Sequence, residues 1–227
     1  MEAIFAPKNI FKKLQDLNKN CLIILGNEPV VSNHIKEDIK SSTNSNNFEY
    51  HSIVIDSSLK IEQLKPLFEN NSLFSNKTLF NINIPGGRIT EEIKKFIIKV
   101  ISENTDDLFV FHFQSATKDL LKSSWFNDVK KIAIQLEAKE PGINQIEEAV
   151  KIRANFYKLN LDNESLSLLS NLSLGNLLAA ENEIIKLSLL DINTNIDAKK
   201  LISLMSNGSK FDSFQLLDFC MTGKIEK

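Results

Sequence analysis

In α/β proteins the loop after a buried strand is a common place to hold phosphates, and residues 26–32 of this chain stand there. The run Cys21-Leu22-Ile23-Ile24-Leu25 is fully apolar, reads as a buried parallel strand and ends on Gly26. Nucleotide hydrolysis at such a place needs further glycines for close backbone approach, a lysine for the phosphates and a hydroxyl for magnesium. The chain instead offers Gly26-Asn27-Glu28-Pro29-Val30-Val31-Ser32. There is no second glycine and no lysine, Pro29 removes a backbone donor, and the Glu28 carboxylate repels phosphate. A magnesium-binding acid belongs at the carboxyl end of a later strand, where ligands gather in open sheets. The strand Leu108–Phe113 runs into Gln114-Ser115, while Asp106 and Asp107 lie at its other end. These residues predict no catalytic group, no cofactor and no metal.

Other chemistries find less. His34, His51 and His112 fall on separate elements, with no acid or nucleophile paired to them by sequence. No Gly-x-Ser-x-Gly elbow and no His/Cys ligand spacing occurs. Trp125-Phe126 and most of the fifteen phenylalanines read as core.

The elements that would position the loop alternate in type. A helix is expected from Val30 to about Lys40, a loop over Ser41–Asn47, and a strand over Phe48–Ile55. Leu59–Phe68 reads as a helix disturbed by Pro66, and Thr78–Ile84 as an alternating strand. Thr90 caps a helix through Ile101, with Glu91 and Glu92 in its first turn. After Leu108–Phe113 a helix spans Lys118–Asp128, and Ile132, Ile134 and Leu136 alternate in a last strand. Such βαβ units predict a mainly parallel sheet covered on both faces.

The pattern changes at Lys139-Glu140-Pro141-Gly142, beyond which the sequence predicts only helices. Asn144 with Glu147 forms a capping-box signature, and Asp162, Asn176 and Asp197 stand where three further helices would start. In the Asn176 helix, Leu178, Ile185 and Leu189 form one row and Leu177, Ile184 and Leu187 another. The expected organisation is an α/β domain over 1–139, a small helical domain over 140–207, and the start of a further helical region over 208–227. There Phe211, Phe214 and Leu217 call for a partner surface.

A net charge of −2 argues against a strongly basic nucleic-acid binder, and lysine pairs such as Lys94-Lys95 and Lys130-Lys131 read as solvated faces. A nucleic-acid adaptor would show salt-dependent DNA affinity. No apolar stretch approaches the ~20 residues of a membrane span. The first residues lack a secretion-signal pattern, and the two cysteines, Cys21 and Cys220, fit a reducing compartment. The expected location is the cytoplasm.

Several segments together resemble the delta subunit of the bacterial DNA polymerase III clamp loader. They are Gly26-Asn27-Glu28-Pro29, Ser72-Leu73-Phe74, Trp125-Phe126, Gly175-Asn176-Leu177-Leu178 with Glu183-Ile184-Ile185-Lys186-Leu187, and Phe211-Asp212 with Phe214. The resemblance runs over essentially the whole chain and stops early in the family's third, collar domain. It implies an AAA+-like (RecA-like) parallel-sheet domain without a working P-loop, followed by a small helical lid domain. It also implies a protein that binds no ATP and holds one interface of the ring-shaped sliding clamp open. Neighbouring ATPase and delta-prime-type subunits, joined mainly through the collar, would drive the cycle, and primed DNA would be met only within the complex. Carried over, the clamp-contacting residues are Leu73 and Phe74 with Ser72 beside them, while Glu183 and Lys186 take a structural role. From the residues alone, Leu73 and Phe74 could equally pack onto the sheet. The alternative from another class is an ATP-binding motor subunit of the same assembly.

Overall fold

The computed structural model describes residues 9–44, 46–69, 77–86, 89–142, 145–172, 176–190 and 195–206. Contacts divide the chain into two units, Met1–Glu140 and Pro141–Lys227.

The first unit is built on five short strands: β1 (Cys21–Leu25), β2 (Phe48–Val54), β3 (Lys77–Ile84), β4 (Leu108–Phe113) and β5 (Ala133–Glu137). They pair in the order β2-β3-β4-β1-β5, every neighbouring pair parallel. Around them lie α1 (Ile10–Asp16), α2 (Pro29–Asn44), α3 (Ile61–Glu69), α4 (Glu91–Glu103), α5 (Lys118–Lys122) and α6 (Ser124–Ile132). The central strands β1 and β4 are buried at every position, as expected for strands covered on both faces. Phe109, Phe111 and Phe113 of β4 and Phe80, Ile82 and Ile84 of β3 face Leu64, Ile93, Ile97, Trp125 and Phe126 in one apolar layer. Phe113 lies edge-on to Phe126 at 5.6 Å, and the Trp125 indole N–H donates to the Lys94 carbonyl at 2.9 Å, satisfying its polar edge. The opposite face of the sheet carries α2.

Cys21 lies wholly inside this core, and burial pushes its thiol far above the usual range. In a Cys220→Ser variant, a thiol reagent should label the native chain only as fast as it unfolds. Immediate labelling would place Cys21 outside the core.

Several boundaries differ from those read in the sequence. The tract Ser41–Asn44 continues α2, because Ser41 and Ser42 donate to the Asp38 carbonyl and Thr43 to that of Ile39, keeping the hydroxyls inside the helical pattern. Lys118–Asp128 is two helices, broken at Ser123, whose backbone is extended and whose hydroxyl accepts from Phe126 N–H to start α6. Ile132 closes α6 instead of opening β5. Thr90 caps α4 as expected, accepting from Ile93 N–H.

The second unit holds α7 (Ile146–Phe156), α8 (Asn163–Leu172), α9 (Leu177–Ser188) and α10 (Ala198–Ser206). Asp162, Asn176 and Asp197 each accept from a first-turn N–H at 2.8, 3.1 and 2.8 Å. Gln145 sits at the cap of α7 without a side-chain cap bond, and the Glu147 carboxylate accepts from Ser167 at 3.3 Å. Asn144 lies outside the described residues. In α9, Leu177, Ile184 and Leu187 are buried, whereas Leu178 and Leu189 are 43% and 78% exposed, so only the second row packs inward. A parallel bridge, Leu161 to Ile196, joins two inter-helix segments.

Candidate functional site

In a sheet of this order, ligands gather at the carboxyl ends of the strands flanking the switch in connectivity. Those ends meet at Gly26. Its N–H donates to the Phe113 carbonyl at 3.0 Å, and Ala138 N–H donates to the Leu25 carbonyl at 2.7 Å, so the loop leaves β1 held between β4 and the end of β5. Gly26 has φ +115°, a conformation that favours glycine.

Glu28 is then the cap of α2. Its carbonyl accepts from Ser32 N–H at 3.0 Å, and its carboxylate accepts from Val31 N–H at 2.6 Å. Pro29 takes the first helical position, where a missing N–H costs nothing. The amino end of this helix is the natural anion site of the fold, and here the protein supplies the anion itself. The Ser32 hydroxyl is buried and donates to the Pro29 carbonyl at 3.1 Å. At the ends of β3 and β4 stand Asn83, Ile84 and Pro85, and Phe113, Gln114 and Ser115, without a carboxylate. The sequence showed the missing lysine and glycines. That Glu28 binds its own helix appears only in the structure, although a glutamate just before Pro29 was the available signal.

Asp106 and Asp107 remain at the amino end of β4, where Asp107 accepts from Thr78 N–H at 2.7 Å and burial raises its pKa. A cleft of about 450 Å³ opens at that same edge, between Phe11, Lys19, Phe48, Lys77 and Asp106, on the side away from Gly26. Among the described residues no group of His, Cys, Asp and Glu could hold a metal.

The histidines do not stay as isolated as their spacing implied. His112, 3% exposed, donates from Nε2 to the Gly26 carbonyl at 2.8 Å, tying β4 to the loop across 86 residues of chain. His51 lies 3.0 Å from Glu49 on the β2 edge. In the second unit, Lys186 pairs with Glu183 at 2.5 Å within α9. The buried pair Arg153–Glu181, which joins α7 to α9, was not foreseen: its partners are 28 residues apart with no motif linking them. Ser72, Leu73 and Phe74 lie outside the described residues, as does 208–227. Phe68 of α3 lies 4.6 Å from Phe80, ring centre to ring centre and tilted, and β3 pairs with β2 from Lys77 onward.

No family model matches the chain. It is 25% identical to DNA polymerase III subunit delta of Haemophilus influenzae, aligned over 100% of this chain and 67% of that protein. With the Escherichia coli subunit delta it shares 21% over 97% of its own length and 65% of the relative's. The chain is similar to DNA polymerase III subunit delta along its whole length. The resemblance read in the sequence therefore holds, and the chain spans about two thirds of the curated relatives it matches. Among solved structures, the Bacillus subtilis DNA clamp loader delta protein matches 86% of this chain and 61% of its own, with TM-score 0.58 at 17% identity. The Thermotoga maritima RuvB protein matches 89% and 70%, with TM-score 0.53 at 14% identity. At these identities the solved structures speak to the fold, which is the AAA+-like parallel sheet followed by helices that the delta resemblance implies. No described helix is long and apolar enough to cross a membrane.

Proposed function

We propose that this chain is a non-catalytic clamp-loader subunit, part of a DNA polymerase III holoenzyme, that binds the sliding clamp and opens its ring for loading onto primed DNA. The similarity to subunit delta along the whole of this chain, which spans about two thirds of that relative, carries the reading. The carboxylate of Glu28 at the head of α2 supports it, because a triphosphate arriving there would have to displace a bound anion and bear its charge. The division into a sheet domain over 1–139, a lid over 140–207 and a collar beginning at 208 belongs to this proposal. So do the ATPase and delta-prime-type partners and a cytoplasmic location.

Clamp contact falls to Leu73 and Phe74 with Ser72 beside them. Two large apolar side chains stand there within a polar run, between α3 and β3. Their burial in a partner pocket contributes about 3–6 kcal/mol gross. A micromolar complex needs about 8 kcal/mol net, so a wider interface must surround this anchor. Leu73→Ala with Phe74→Ala should weaken binding to the same organism's clamp about a hundredfold or more, measured by surface plasmon resonance. The far-UV circular dichroism should stay unchanged. Unaltered affinity would remove these residues from the site.

A further inference from the structure

The carboxyl ends of β3 and β4 hold a charge that the emptied nucleotide chemistry leaves unused. Lys36, half-buried on α2, donates to Asn83 Oδ1 at 3.0 Å. Asn83 and His112 are direct register partners on neighbouring strands, so both side chains rise from the face that carries α2. Among the described residues no carboxylate lies within ion-pair distance of Lys36, whose hydrogen-bond partner is a neutral amide. With Nε2 spent on the Gly26 carbonyl, His112 keeps a buried Nδ1 that has no partner. A half-buried ammonium without a counter-ion, beside an amide and an unsatisfied imidazole, is an arrangement that an anionic oxygen would complete.

We propose that Lys36, the Asn83 side-chain amide and His112 form a seat for a single carboxylate presented by a protein partner. One ammonium matches one negative charge, and the Glu28 carboxylate, two residues beyond Gly26, disfavours a multiply charged phosphate. A lone ammonium–carboxylate pair at a partly exposed site is worth at most about 1 kcal/mol, so a free monoanion binds weakly. An aspartate or glutamate held in place by a larger interface meets the site at high effective concentration. The seat stands independently of the clamp-contact residues.

Burial, and next the charge of Lys36, hold the His112 pKa below its usual value. An anion seated on Lys36 offsets that charge and lets His112 take up a proton, whose Nδ1–H then donates to it. The test is the pH titration of the His112 ring nitrogens by NMR on the full chain. Sodium acetate is the probe, with sodium chloride at equal ionic strength and sodium phosphate as comparisons. Acetate should raise the His112 midpoint saturably, by about half a pH unit, and chloride should not. Lys36→Met should raise the midpoint by itself and abolish the acetate effect, and Lys36→Arg should keep that effect. An equal response to chloride, or an acetate response that survives in Lys36→Met, overturns the seat. A stronger response to phosphate than to acetate overturns the carboxylate as its occupant.

Discussion

Glu181→Ala should lower the stability of the helical unit by about 3–5 kcal/mol, the range for breaking a buried ion pair from one side. Arg153 is 2% exposed and Glu181 6%. Arg153 donates from Nε to Glu181 Oε2 at 2.8 Å and from a terminal nitrogen to Oε1, a two-point fork that fixes α7 against α9. Its planar group also lies 4.8 Å from the Phe156 ring and 5.3 Å from that of Tyr157. Removing the carboxylate breaks a buried ion pair from one side and takes away both bonds of the fork. Hydrogen exchange of the α7 and α9 amides reads the effect directly, and protection there should fall by two to four orders of magnitude, about 1.4 kcal/mol per tenfold. Replacing the pair together, Arg153→Met with Glu181→Leu, should recover much of the loss, since the penalty belongs to breaking the pair from one side. Unchanged protection in Glu181→Ala would mean that the fork does not hold the helices.

Gly26→Ala should destabilise the first unit by about 2–6 kcal/mol, combining strained backbone with a forced steric contact. The residue has φ +115°, and an added methyl would be driven into the Ala138 carbonyl oxygen, a backbone atom that cannot swing aside. That carbonyl also accepts from Glu28 N–H at 3.3 Å, and the Gly26 carbonyl accepts from His112. The substitution therefore strains the joint between β1, β4 and β5 where the Glu28 cap begins. Urea denaturation followed by Trp125 fluorescence measures it, because that indole is buried in the same unit. A midpoint within error of the parent would show that the loop yields freely, contrary to the packing around Ala138.

Much of the first unit could be read from the sequence, for a physical reason. Strands such as Cys21–Leu25 and Leu108–Phe113 are short, almost wholly apolar and bounded by turn-forming or polar residues, so burial and punctuation coincide. Where capping is local, as at Thr90, Asp162, Asn176 and Asp197, the helix starts could be placed as well. Helix α1 could not, because its cap comes from elsewhere in the chain. The Asp38 carboxylate accepts from Asn9 and Ile10 N–H at 3.3 and 2.9 Å, and Asn9 itself is left-handed at φ 60°. The end of α2 was misplaced because serine and threonine favour loops only while their hydroxyls compete with the helix, and here they bond back into it. At the site, composition showed which groups were missing but not what replaces them. The Glu28 cap is local; the His112–Gly26 and Lys36–Asn83 bonds span 86 and 47 residues and depend on strand order.

In this proposal a parallel sheet whose helix-end anion site is filled from within by Glu28 is joined to a use in contact with partners. The affinity of the isolated chain for the same organism's sliding clamp, measured by isothermal titration calorimetry with and without magnesium-ATP, tests that claim most directly. The account predicts a complex without nucleotide and the same affinity in its presence. A chain that fails to bind the clamp, or binds it only with magnesium-ATP, would contradict it.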